Sequence, residues 1–562
     1  MTTTDQPANP ISLLYPPQYQ HSPPTSDLST QYYTDLGFQT IVNALDLDGR
    51  HSRFVQQVLT ELATEPAVII YRQDILADLL RLPVLVTNLT ALLPHLAELA
   101  YIGRGQPWDD SSPLVLVSRR LLELENYLLC VEGLTKALTQ AGNGIKAAGF
   151  LALKTSLATL QASPDYQRLA TELPLLRAQL NQTGSVTLGI NLDSQFRPAS
   201  ATLLSVNPGR FMGKGSMLER LLGKTTDGAS SLRGIAGLYK ADPESAGAAA
   251  FQPEHQLFRE LSQILERAVQ PVLEALQQFS KLSSGGLARL ESELAFYLGG
   301  VKLTVKLRTE GFALCCPLVA PATGVCNIKG VYCLDLVLRH QQPGKARLSE
   351  KPAPLPVVTN DIEFGPDATI FILTGPNSGG KTTFTRAVGQ AQVLFQAGLL
   401  IPGERAEISP AAGIFSHFAT AERLDIEGGR LAEELGRLAQ VFRQASSASL
   451  ILLNEPLTST DHTSARVLSR DLLGGLKLLG ARTLYVTHIQ ELISDTAALA
   501  EVAPDVKIVS LVAGVTDQAN LGHTPTYHIR RGQPQTLGYA SELARQYGLS
   551  LSQIAAMLEA KP

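Results

Sequence analysis

Ten residues, Thr374-Gly-Pro-Asn-Ser-Gly-Gly-Lys-Thr-Thr383, have the types and spacing to grip a polyphosphate. Gly375 to Thr382 fit G-x-x-x-x-G-K-[ST], in which glycines let backbone N–H groups turn toward phosphate oxygens. Lys381 can neutralise the outer phosphates, and the Thr382 hydroxyl can hold Mg²⁺. Pro376, Asn377, Ser378, Gly379, Gly380 and Thr383 complete the expected cradle. A chance glycine loop would share the letters but not the setting. Here the apolar run Ile370-Phe-Ile-Leu373 leads in and a helical pattern from Thr383 to Gln396 leads out. That predicts strand, loop and helix in the order the chemistry needs, with the helix N-terminus adding partial positive charge.

Hydrolysis needs an acid near the phosphates. Leu450-Ile-Leu-Leu453 reads as a buried strand, followed by Asn454-Glu455-Pro456. Glu455 is the candidate general base; the plainer alternative is a surface acid on a loop, but the end of a buried strand behind a phosphate loop favours function. Asn454 stands where an Asp is expected, and its amide oxygen can still accept a hydrogen bond from a metal-bound water. Thr382, Asn454 and Glu455 are therefore the candidate Mg²⁺ group. A second strand, Thr483-Leu-Tyr-Val486, ends at Thr487-His488, where a neutral imidazole can sense the terminal phosphate. Gly428, Gly429 and Arg430 precede an amphipathic helix with Leu431, Leu435, Leu438, Val441 and Phe442 on one face. Two readings stay open for that glycine pair: a second anion site, or an ordinary helix cap.

The elements that must position these groups are spread along 562 residues, enough for roughly two to four domains. With 44% hydrophobic and 17% charged residues, the chain reads as globular rather than disordered. Residues 1–30, rich in Pro, Ser, Thr and Gln, read as a disordered, mobile arm. Residues 31–300 read as a helical core or lever. Within it, Ile75, Leu76, Leu79 and Leu80 share one face, as do Leu121, Leu122, Leu124, Leu128, Leu129 and Val131. A small β insertion is expected near 184–206, a flexible connection at 222–250, and a return to long helix over 254–296. From 301 to 530 strand and helix signals alternate, as in an α/β fold with a parallel sheet.

The start, MTTTDQPANP, lacks the basic and apolar regions of a secretory signal, and Leu82 to Ala97, the most apolar stretch, is broken by Pro83, Asn88, Pro94 and His95. A cytoplasmic protein without a membrane anchor is expected. Of the five cysteines, Cys315, Cys316, Cys326 and Cys333 cluster without the tight pairs a zinc site uses, and read as buried structural thiols. The net charge of −4 gives no general nucleic-acid-binding footprint.

Together these motifs resemble the MutS family of DNA mismatch-repair and recombination ATPases, a branch of the ABC-type ATPases. TGPNSGGKTT, with its Pro376-Asn377 pair, looks like that family's phosphate loop. Leu452-Leu-Asn-Glu-Pro-Leu-Thr-Ser-Thr-Asp461 resembles its Walker B segment and D-loop, and Val486-Thr-His488 its switch histidine. Glu427–Leu435 falls where the family carries the signature that reaches across a dimer. Val358-Thr-Asn-Asp361 resembles the segment lying against adenine, and Tyr71-Arg-Gln-Asp-Ile-Leu76 a motif of the helical core. Leu537–Ala544 and Tyr547-Gly-Leu549 resemble C-terminal dimerisation helices, placing these in 531–562.

The resemblance implies an α-helical core or lever followed by a P-loop, ABC-type ATPase domain. It also implies ATP and Mg²⁺ as ligands, a homodimer with composite ATP sites, and clamping of branched or duplex DNA. In such a dimer Asn377 and His488 monitor the terminal phosphate, and Gly428, Gly429 and Arg430 of the second copy complete the site. Three departures stand out: Asn454 replaces the Walker B aspartate, Gly429 stands where the signature has a serine, and Val357 where an aromatic often stacks on the base. With the resemblance to the helical core starting so near residue 1, no N-terminal mismatch-reading domain is expected. Two other readings compete. One is a slow or non-hydrolysing nucleotide-switched scaffold acting on RNA, a ribosome or a protein, which Asn454 motivates. The other is a transporter ATPase subunit, which the long helical half argues against.

Overall fold

Parallel strands need crossover connections, and the chain beyond residue 310 supplies helices between its apolar runs. The computed structural model describes residues 12–19, 31–103, 113–181, 185–192, 194, 198–207, 272, 275–276, 279, 285–340, 357–418, 429–518, 522–533 and 547–559. The expected connection at 222–250, most of the helix over 254–296, Gly428 and the Leu537–Ala544 segment lie outside them. The described residues fall into two compact units. One draws on Met1–Leu93, Leu134–Thr155 and Arg289–Pro562, the other on Pro94–Gly133 and Ser156–Ala288.

The first helices are α1 (Gln31–Asp35), α2 (Phe38–Leu45), α3 (Ser52–Thr60), α4 (Pro66–Arg81), α5 (Pro83–Gly103), α6 (Pro113–Ala141), α7 (Ala148–Ala162) and α8 (Pro164–Asn181). Proline opens α4, α5, α6 and α8, where its fixed φ is already helical and its missing N–H costs nothing. In α4 the buried Val68, Ile69, Ile75, Leu76 and Leu79 recur at helical spacing. The α6 stripe is narrower than expected: Leu121, Leu124 and Val131 are buried, while Leu122 and Leu129 are exposed. Among the described residues α5 alone is long and apolar enough, by length and composition, to cross a membrane, although Pro94 lies inside it. Its Leu85, Leu89, Leu96 and Leu99 are fully buried against protein. Then come β1 (Ser185–Leu192) and β2 (Pro198–Asn207), which pair antiparallel.

After α9 (Gly285–Thr309) come short strands β3 (Leu314–Cys315) and β4 (Leu318–Val319), then β5 (Cys326–Val331), α10 (Leu334–His340) and β6 (Asn360–Phe364). Next comes the site-bearing part: β7 (Ile370–Thr374), α11 (Lys381–Gln396), β8 (Ile401–Pro402), β9 (Arg405–Ile408), β10 (Ile414–Phe418) and α12 (Gly429–Gln444). It continues through β11 (Leu450–Asn454), α13 (His462–Leu479), β12 (Arg482–Val486), α14 (Leu492–Asp495), β13 (Ile508–Gln518) and β14 (Gly522–Arg531), with α15 (Leu551–Glu559) near the end. The main sheet runs β10-β11-β12-β7-β13-β14, parallel except for β14. Every residue of β7, β10, β11 and β12 is buried, as a sheet covered on both faces requires. Ile370, Ile372, Ile451 and Leu453 pack with Leu438 and Val441 of α12 and Leu473 and Leu476 of α13. A second sheet, β4-β9-β5-β6, and the pair β3–β8 flank this core.

The early segment is built into the same unit. Leu36 and Leu452 both reach Gly389 of α11, where an added Cβ would lie 2.5 Å from Leu36 Cδ1 and 2.7 Å from Leu452 Cδ1. Gln390 Nε2 donates to Leu36 O at 2.7 Å, and Arg386 Nε to Asp35 O at 2.9 Å. Residues 12–19 correct the expectation of a disordered arm throughout 1–30: Leu13 and Leu14 are buried. Leu13 N donates to Glu293 Oε2 at 2.5 Å, Arg72 Nε donates to Leu14 O at 3.0 Å, and the Arg72 guanidinium lies 4.9 Å from the Tyr15 ring centre. Two adjacent leucines and a tyrosine outweigh the polar, Pro-rich composition around them. All five cysteines are free thiols; Cys326 and Cys333 are buried as expected, whereas Cys315 is half-buried and Cys316 exposed.

Candidate functional site

The register of the sheet sets the site. Leu373 of β7 pairs with Val486 of β12, and Val486 with Asn454 of β11, so three strands end at one level. The phosphate-loop motif, Glu455 and His488 all leave from that level, the carboxyl edge of a parallel sheet where such folds place ligands.

Gly375 adopts φ 137°, and an added Cβ would come within 2.7 Å of Ala513 Cβ, so only glycine fits the turn out of β7. Gly380 caps α11 at φ 84°. Lys381, 2% exposed, folds back on the loop, its Nζ donating to Gly375 O at 3.0 Å and Pro376 O at 2.9 Å. Burial pushes its ammonium below the ordinary lysine value, and the Glu455 carboxylate 3.8 Å away offsets part of that. Thr382 Oγ1 donates to Asn454 Oδ1 at 3.2 Å. Glu455 Oε1 lies 2.6 Å from His488 Nε2, and that hydrogen bond holds its carboxyl below the ordinary glutamate value. Glu455 itself has φ 54° and Leu457 φ 64°, left-handed conformations that side-chain-bearing residues rarely adopt. Strain of this kind collects at functional sites.

A cleft of about 460 Å³ adjoins the loop. Asn377, Ser378, Gly380, Lys381, Thr382 and Thr383 line it, together with Val357 and Val358. Thus Lys381, Thr382, Asn454, Glu455 and His488 come together, and Val358 lines the cleft with Lys381 and Thr382, whereas Asn454, Glu455 and His488 do not line it. Gly429 and Arg430 stand exposed at the start of α12 and do not line it.

Two contributors lie beyond the reach of local sequence reading. Tyr527 of β14 lines the cleft, its ring carbon Cδ1 3.2 Å from where a Cβ on Gly380 would sit. Asn360 fixes that strand, donating to Tyr527 O at 3.1 Å and accepting from Ile529 N at 2.6 Å. The second is Glu434 of α12, which accepts from Leu457 N at 2.6 Å, from the Ser459 hydroxyl, and from His417, whose Nε2 is 3.0 Å away. Tyr527 comes a long stretch of chain after the phosphate loop and carries no motif; Glu434 reads locally as one more acid on an amphipathic helix.

The oxygen donors available to a cation are Thr382 Oγ1, Asn454 Oδ1 and the Glu455 carboxylate, a hard set that suits Mg²⁺ with waters completing its shell. Only one of the three carries charge. Glu455, ionised and hydrogen-bonded, can accept a proton from a water held beside it.

The family described as MutS2 N-terminal domain matches residues 64–310, and that described as MutS domain V matches residues 371–556. The chain is similar to an Endonuclease MutS2 of Streptococcus gordonii, 28% identical over 199 residues, covering 34% of this chain and 24% of that protein. An Endonuclease MutS2 of Thermomicrobium roseum is 27% identical over 301 residues, 52% of this chain and 34% of the relative. A DNA mismatch repair protein MutS 2 of Halobacterium salinarum is 32% identical over 195 residues, 34% of this chain and 21% of the relative. The matches thus span between about a fifth and a third of these relatives' lengths.

Proposed function

The chain belongs to the MutS family, and on that premise we propose that it binds ATP with Mg²⁺ and hydrolyses it to drive closure of a clamp on DNA. The observation that carries this reading is the meeting of Lys381, Thr382, Asn454, Glu455 and His488 at the ends of three neighbouring strands. In it Gly375–Thr383 form a P-loop whose backbone amides and Lys381 hold the phosphates. Thr382 and Asn454 hold Mg²⁺, which when bound supplies charge neutralisation at the phosphates. Glu455 orients and deprotonates the attacking water, while His488 keeps it ionised and senses the terminal phosphate with Asn377. The cleft beside Val358 receives adenine, and Tyr527 of β14 supplies an aromatic surface in its lining, which answers the lack of one at Val357.

Assembly belongs to the same proposal. Two copies complete each other's sites through Gly428, Gly429 and Arg430, and the C-terminal helices join them. The exposed Leu551, Met557 and Leu558 of α15 support such a contact. Branched or duplex DNA is the expected partner, the cytoplasm the expected place, and the names of the relatives, an endonuclease and a mismatch repair protein, support the nucleic-acid role. The deciding experiment compares wild type with Glu455→Gln. ATP binding should persist and turnover fall by ~10²–10³-fold in the variant. Equal turnover in both sinks the assignment of Glu455.

A second reading is favoured by Asn454: a dimeric switch in which nucleotide binding does most of the work and hydrolysis is slow. A neutral amide where the metal shell expects a carboxylate weakens the hold on Mg²⁺. Salt-dependent binding to duplex, junction and RNA probes, with and without a non-hydrolysable ATP analogue, separates the two. Loss of every nucleic-acid interaction at low salt leaves the scaffold reading alone.

A further inference from the structure

The loop that carries Glu455 is held in an unfavourable shape by a side chain from another element. Glu455 and Leu457 both sit in the left-handed region, with Pro456 between them. On one side Glu455 N donates to Val486 O at 2.9 Å, anchoring the loop to β12. On the other, the Glu434 carboxylate takes the buried Leu457 N–H on Oε1 at 2.6 Å and the Ser459 hydroxyl on Oε2. Glu434 is itself buried and braced by His417 Nε2 from the end of β10, 3.0 Å from Oε1.

We propose that Glu434 is a positioning residue for hydrolysis, clamping residues 457–459 so that the Glu455 carboxylate faces Lys381 and His488. The inference rests on the reading of Glu455 as general base. Two observations support a role beyond packing. First, the bonds Glu434 accepts from Leu457 and Ser459 end on the chain just after Glu455, and without them the buried Leu457 N–H loses its acceptor. Second, the backbone they hold would relax toward ordinary φ values if released, since nothing but surrounding structure maintains such conformations. Because the Glu455 side chain projects from that backbone, a change of its φ would shift the carboxylate now 3.8 Å from Lys381 Nζ. Substrate binding, by contrast, depends on the phosphate loop and the cleft, neither of which Glu434 touches.

The test separates chemistry from binding. Steady-state ATP hydrolysis, affinity for a fluorescent ATP analogue and thermal melting are measured for wild type, Glu434→Ala, Glu434→Gln, Ser459→Ala and Glu455→Gln. Misplacing a catalytic group by about an ångström costs ~10²-fold, so kcat should fall by ~10²-fold in Glu434→Ala with nucleotide affinity held within about twofold. Glu434→Gln keeps an oxygen for Leu457 N–H, and the Ser459 hydroxyl can turn to accept from the amide, so it should recover to within ~10-fold of wild type. Ser459→Ala should fall between the two. Wild-type kcat in Glu434→Ala, or a parallel loss of affinity, overturns the proposal. If Glu434→Ala does not fold, the other two variants decide, and wild-type kcat in both overturns it. Hydrolysis that depends on Glu455 but not on Glu434 removes this inference alone. A wild-type chain with no hydrolysis removes the ATPase reading and this inference with it.

Discussion

Thr382 Oγ1 reaches Asn454 Oδ1 at 3.2 Å although a whole strand, β12, lies between β7 and β11. The contact is possible because α11 starts over the sheet edge, carrying Thr382 across the end of β12. A hydroxyl and an amide oxygen thus face the same space, where two oxygens of greater charge would bind a cation more tightly.

Replacing Asn454 by Asp adds a negative charge beside Thr382. We expect the Mg²⁺ concentration for half-maximal ATP binding or turnover to fall by ~10-fold, equivalent to about 1.4 kcal/mol. Titrating Mg²⁺ at fixed ATP measures it. An unchanged midpoint shows that Asn454 does not face the metal.

Tyr527 offers an aromatic ring beside Gly380. Stacking a base on an aromatic ring contributes ~1–3 kcal/mol, so Tyr527→Ala should raise the Kd for ATP by about 10-fold or more, while Tyr527→Phe stays near wild type. A comparison of ATP with inorganic triphosphate sharpens the test: only ATP binding should respond. An equal effect on both would move Tyr527 from base recognition to loop support.

Glu434 gives a pH signature. Burial alone would raise its carboxyl, but hydrogen bonds from His417, Ser459 and Leu457 N outweigh that and hold it below the ordinary value of 4.5. A depressed carboxyl contributes stability above its unfolded value, and that contribution fades as pH falls through the folded value. The Tm difference between wild type and Glu434→Gln should therefore be full at neutral pH and shrink only below about pH 4.5. A gap that is constant across the acid range contradicts the shift.

Gly389→Ala tests the seam between α11 and the early helices. The added methyl would lie within 2.7 Å of both Leu36 Cδ1 and Leu452 Cδ1. Overpacking of this kind costs ~1–3 kcal/mol, measurable as a lower denaturant midpoint. Pairing it with Leu36→Ala should return part of the loss, since the smaller side chain vacates the methyl's place.

Much of the sheet was legible because parallel strands buried on both faces read as unbroken apolar runs: Ile370–Leu373, Leu450–Leu453 and Thr483–Val486 all appear as strands. The residues just after each run then sit at the carboxyl edge, so Lys381, Glu455 and His488 could be named without coordinates. Strand order could not, and with it the contact of Thr382 with Asn454. Tyr527 was hidden because β14 runs antiparallel at the sheet edge and alternates polar with apolar residues. Leu13 and Leu14 were hidden by their neighbours' composition; their burial depends on Arg72 and Glu293, 58 and 280 residues away.

The Leu36 contact with Gly389 has a practical side. The unit that carries the nucleotide-site residues is not a continuous piece of chain. A fragment beginning at residue 301 would lose Leu36, and with it the acceptor for Gln390 Nε2; it would also lose Ala63, whose carbonyl accepts from Gln396 Nε2. The back of α11 would face water with an open apolar socket and the Gln390 amide without its acceptor, while Gln396 Nε2 would keep only Ala411 O. Anyone preparing this half of the protein for crystals or for kinetics should carry along residues 12–93, 134–155 and 289–300, which belong to the same compact unit.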